Sequence, residues 1–84
     1  MKLSLNERYF KKYEREINYV HTLVPVTYQT FNIDGVKYLQ IDSYTQKTKI
    51  NEVSPEKQSK HKIQFDKETA EEFIKFLQRE FNIT

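Results

Sequence analysis

Tyrosine and lysine are the side chains in this sequence best suited to meet a ligand. Tyr28, Tyr38 and Tyr44 fall in β-rich runs, and Lys37, Lys47, Lys49, Lys60 and Lys62 border them. A phenol ring offers a flat surface on which a nucleobase can stack, and an ammonium group offers a charge for phosphate. Aromatic rings edged by cations therefore point to a single-strand platform. The same residues also have a purely structural explanation. Tyrosine favours strands, lysine protects sheet edges, and an uncovered sheet face can close on a second copy of itself as a homodimer.

Other chemistry finds little support. His21 and His61 are the only histidines, and they fall on different elements, so no metal site is expected. The chain has no cysteine, which excludes a disulfide scaffold, a Cys-based zinc site and a Cys nucleophile. Glu14 with Glu16, and Glu68 with Glu71 and Glu72, sit on helix faces that water should reach. General acid–base work instead needs a buried carboxylate or a like-charge pair. Ser4 suits a helix cap, while Ser43, Ser54 and Ser59 have no nucleophile motif around them. The one glycine, Gly35, suits a turn, so there is no glycine-rich phosphate loop. We expect a non-enzymatic protein with no catalytic residues and no cofactor.

The elements that must position the tyrosines and lysines can be read from spacing. Ser4 and Glu7 form a capping-box pattern, and Leu5, Tyr9, Tyr13, Ile17 and Val20 follow at helical spacing, predicting a helix over residues 5–19. Residues 24–33 are uncharged and rich in Val, Thr, Tyr and Phe, with Pro25 at the start, which predicts a strand. Asp34-Gly35 then joins this run to Val36–Tyr44, a strong signal for a hairpin with a type I′ turn. In the second strand Leu39 and Ile41 share one face, and Tyr38, Gln40, Asp42 and Tyr44 the other. Residues 46–59 are polar and include Pro55; within them, residues 47–53 read as either a short edge strand or a loop. Residues 60–65 alternate and predict a third or fourth strand. Asp66 is a good N-cap for a helix over residues 67–81 with the stripe Ala70, Phe73, Ile74, Leu77 and Phe81, which Phe76 widens. The fold class is α+β: a small antiparallel sheet of three to four strands, with an N-terminal and a C-terminal helix on one face. That arrangement leaves Tyr28, Tyr38 and Tyr44 together on the open face.

From Tyr28 onward the order of elements resembles the positive-cofactor-four family of single-strand-binding transcriptional coactivators. The resemblance is carried by Tyr28-Gln-Thr-Phe-Asn-Ile33, the Gly35 turn, Tyr38-Leu-Gln-Ile-Asp-Ser-Tyr44, and Lys60-His-Lys-Ile-Gln-Phe-Asp66 running into the C-terminal helix. It implies a four-stranded antiparallel sheet with one helix, dimerisation through the helices, and single-strand binding on the sheet. The positions it implies for binding are Tyr28, Lys37, Tyr38, Lys47, Lys49, Lys60 and Lys62. Where the family has its first strand, this sequence has the helical pattern of residues 5–19.

The 84 residues are enough for a single domain, 1–84, and the aromatic content of 14% argues against a disordered chain. Net charge is only +2, too small to diagnose a nucleic-acid partner. Its distribution is uneven: residues 37–62 carry six lysines against Asp42, Glu52 and Glu56, while residues 63–84 are acidic. No apolar run reaches the roughly 18 residues a membrane helix needs. No signal peptide is visible, and a cytoplasmic setting without a membrane partner is expected. The leading expectation is a small binding protein that contacts single-stranded nucleic acid through a Tyr/Lys sheet face. The alternative is a protein–protein module, such as an inhibitor or accessory subunit from a phage, mobile element or defence system.

Overall fold

Asp34-Gly35 makes the turn its residue types dictate. Both take positive φ, 52° and 79°, as a type I′ turn requires. The computed structural model describes residues 1–54 and 57–84; Pro55, singled out above, and Glu56 lie outside the described residues. The turn joins β1 (Val26–Ile33) to β2 (Val36–Ser43), with Ile33 opposite Val36. β3 (His61–Asp66) lies antiparallel on the other side of β2. Asp66 then caps α1 (Lys67–Phe81), its Oδ1 accepting from the Thr69 backbone N–H at 2.9 Å. The fold is α+β: a three-stranded antiparallel sheet in the order β1-β2-β3 and a C-terminal helix packed against β3.

The helix expected over residues 5–19 is not formed. Residues 1–3 instead run parallel to β3, with Lys2 beside Gln64 and backbone bonds from Leu3 N to Gln64 O and from Gln64 N to Met1 O, both 2.8 Å. Ser4 does not complete a capping box with Glu7. Its Oγ accepts from Asn6 N at 3.2 Å, and Asn6 closes a turn with Arg8, Tyr9 and Phe10. Residues 11–24 then pass through solvent with every side chain exposed. The apolar stripe of this segment meets no apolar surface, and a helix of that length is marginal without one. Its Tyr, Ile and Val residues also lose side-chain freedom in a helix, which weakens local preference further.

Of the two readings of residues 47–53, the structure has the loop and not the edge strand. Thr45 and Thr48 close a turn, with Thr48 N donating to Thr45 O at 3.0 Å, and a 3₁₀ turn, Ile50–Glu52, follows. The edge of β3 is lined by residues 1–3 instead.

Burial is shallow. No described side chain is fully buried, and the least exposed apolar residue is Tyr44 at 7%. On α1 the half-buried apolar residues are Ala70, Phe73, Phe76 and Leu77, while Ile74 and Phe81 stay exposed. The inward stripe is thus turned toward Phe76, because Phe10 packs edge-on against that ring with centroids 5.2 Å apart. Leu39, Ile41, Ile63 and Phe65 are half-buried on one face of the sheet, as alternation dictates.

Candidate functional site

Cross-strand register decides which side chains share a face. Residues directly opposite in an antiparallel pair point the same way. Three rows therefore build the face opposite Leu39 and Ile41. One row is Gln29, Gln40 and Gln64; the next is Thr27, Asp42 and Lys62; on the other side comes Phe31, Tyr38 and Asp66.

A hydrogen-bonded chain with a direction runs from Gln64 and Gln40 in the middle row to Asp42 in the next. Gln64 Nε2 donates to Gln40 Oε1 at 2.7 Å, and Gln40 Nε2 donates to Asp42 Oδ1 at 2.7 Å. In the aromatic row Phe31 and Tyr38 are stacked, with centroids 5.5 Å apart and ring planes 20° from parallel. The Lys2 ammonium lies 5.8 Å from the Tyr38 ring centroid, within reach of a cation–π attraction. Asp66 beside them has its carboxyl pKa lowered, first by the Thr69 backbone N–H and then by the Thr69 hydroxyl, with Lys2 adding a smaller attraction.

At the other end of this face Val53, Ser54, Lys57, Gln58 and Ser59 wall a cleft of about 730 Å³. Gln40 and Asp42 line it from β2, Tyr44 from just beyond that strand, Tyr28 and Gln29 from β1, and Lys57 and Lys62 from the basic side. Among the described residues, no group of three or more His, Asp or Glu side chains gathers at metal-binding distance.

No family model matches the chain, and no curated protein or solved structure matches it.

The residues singled out from the sequence scatter over this geometry. Tyr38 and Lys62 share the polar face, Lys62 exposed and Tyr38 half-buried under its stacking partner. Tyr28 is open, at 76% exposure, but pairs with Ile41 and so belongs to the opposite face; it reaches the cleft only from the sheet edge. The three tyrosines therefore do not share a face, because the two-residue turn pairs 31, not 28, with 38. Lys37 is exposed on the Tyr28 face, opposite Asn32. Tyr44 is no open ring: its hydroxyl lies 3.2 Å from Thr27 Oγ1 and its backbone N–H donates to Pro25 O at 3.1 Å. Lys47 and Lys49 are exposed around the turn, and Lys60 is exposed just ahead of β3, donating its backbone N–H to Ser43 O at 2.8 Å.

Phe31, the glutamine row, Asp42, Lys57 and Lys2 were not singled out. For Phe31 and Gln29 the signal was present, since a two-residue hairpin loop fixes register and hence both cross-strand partners. Lys2 had none, because its place depends on a parallel pairing with a strand far along the chain.

Proposed function

We propose that this chain is a small non-enzymatic protein that binds single-stranded nucleic acid through the face carrying Phe31, Tyr38, Gln40, Asp42, Gln64 and Lys62. The observation that carries the reading is the stacked Phe31–Tyr38 pair lying on the same face as the hydrogen-bonded amides Gln40 and Gln64. Flat rings supply sequence-tolerant stacking, worth about 1–3 kcal/mol per base. Amides supply base-edge contacts, and Lys2, Lys57 and Lys62 supply charge for the phosphates. The resemblance of element order to the positive-cofactor-four coactivators supports the same reading, and the cysteine-free composition supports a cytoplasmic setting.

Fluorescence anisotropy with labelled single strands of about 16 nucleotides tests it, alongside a duplex of the same sequence. Saturable binding that prefers the single strand and weakens with added salt is expected. Flat traces at tens of micromolar protein overturn the proposal.

A second reading, a protein–protein module, rests on a different observation. Tyr9, Tyr13, Ile17 and Val20 are exposed at helical spacing in a segment without regular structure, which suits folding onto a partner. A stoichiometric protein partner recovered after nuclease treatment, and lost when Tyr13 and Ile17 are replaced by serine, would support it.

A further inference from the structure

The cleft beside Asp42 has a polarity that selects among ligands. Its amide chain runs one way: each N–H points from Gln64 through Gln40 toward the Asp42 carboxylate. Asp42 is the end of that chain. A carboxylate has about four acceptor positions, and Gln40 occupies one. Lys62 stands opposite Asp42 in the register, yet no ion pair to Asp42 forms among the described residues. The site therefore holds an oriented acceptor with capacity left, at the floor of an open cleft. Its complement is a group that donates N–H.

Around that acceptor the other requirements of a nucleotide are present. Lys57 and Lys62 offer cations within the same cleft, and its floor and walls leave open space above the carboxylate for a flat ring. We infer that the cleft takes a nucleobase bearing an exocyclic amino group, with Asp42 accepting from that amino group and the two lysines holding its phosphates. An amino-bearing base turns one or more N–H donors toward the carboxylate, the pairing by which acidic side chains read cytosine. Thymine and uracil turn carbonyl oxygens to either side of their single ring N–H, and a carboxylate repels both. This inference rests on the reading of the polar face as a nucleic-acid surface, and it adds selectivity to it.

The test compares oligo-dC, oligo-dA and oligo-dT of equal length against the full chain, wild type and Asp42→Asn. A good base contact discriminates by about 1–3 kcal/mol, so oligo-dC and oligo-dA should bind roughly 5- to 150-fold more tightly than oligo-dT. Asp42→Asn offers an amide N–H as well as an oxygen, so this ratio should fall toward one while binding persists. Circular dichroism checks that the variant is folded. Lys57→Ala with Lys62→Ala provides a second, independent reading: it should weaken all three oligonucleotides together and leave the ratio unchanged. Equal affinity of the wild type for all three overturns the inference and leaves nucleic-acid binding standing. A ratio that survives Asp42→Asn overturns the role of the carboxylate. No binding to any of the three overturns both readings.

Discussion

Tyr44 is where the sheet's stability should be most concentrated. It is the least exposed apolar side chain of a molecule in which no described residue is fully buried. Two changes separate its ring from its hydroxyl. Tyr44→Phe removes only the contact with Thr27 Oγ1 at 3.2 Å, a neutral hydrogen bond with a net worth of about 0.5–1.5 kcal/mol. Tyr44→Ala removes the ring as well; large-to-small changes at buried aromatics cost about 3–5 kcal/mol. A domain of 84 residues has a total stability of roughly 4–13 kcal/mol, so the first change should lower Tm by several degrees and the second should leave the fold marginal. Urea unfolding followed by far-ultraviolet circular dichroism measures both. Oligonucleotide affinity of Tyr44→Phe should stay within about twofold of wild type, since its hydroxyl faces Thr27 rather than a ligand. The reasoning fails if the phenylalanine variant loses as much stability as the alanine variant. It fails equally if Tyr44→Ala unfolds at the wild-type urea concentration.

Three further expectations follow from other positions. Gly35→Ala meets nothing within 4 Å, so its cost is backbone strain at φ 79° alone, about 1 kcal/mol; an unchanged thermal midpoint would refute this. The lowered Asp66 pKa means that its charged form stabilises the fold above the ordinary carboxylate value of 3.8, and that this contribution is lost as pH falls through the lower folded-state pKa. Acid titration of stability should therefore show a decline below that value that is smaller in Asp66→Asn, and identical acid profiles would remove the cap from the account. Phe31→Ala takes away one ring of the stacked pair and should weaken single-strand binding by roughly 5- to 150-fold, read by anisotropy, with the duplex affected less.

Legibility in the sequence tracked how local each determinant is. The helix Lys67–Phe81 was readable because Asp66 caps it and the apolar stripe begins within one turn. The hairpin was readable from Asp34-Gly35, where two positive φ angles leave few alternatives. The same turn carried the register, and with it the pairing of Phe31 with Tyr38 and of Tyr28 with Ile41. Grouping the tyrosines by residue type alone instead put Tyr28 on a face it does not share with Tyr38. The N-terminal stripe misled because periodicity reports what a segment could bury, not whether a surface exists to receive it. Tyr44 misled for the converse reason: alternation placed it on the polar face, and its burial comes from chain contacts beyond β2 that spacing cannot foresee. Of the candidate site, Tyr38 and Lys62 were legible from the open face. The pairing of Gln29 with Gln40 followed from the hairpin register, but that of Gln64 with Gln40 did not, since no short turn fixes the register of β3 against β2.

The solvent-exposed run of residues 11–24 leaves the Phe10–Phe76 contact at one end and enters the first strand at the other. Two inter-strand spacings, about 10 Å, separate the axes of the outer strands. Coiled into a helix, the run would still measure roughly 21 Å, about twice that separation. The connection thus has slack, so shortening it by one helical turn, or letting it wind up, should leave the β-layer undisturbed.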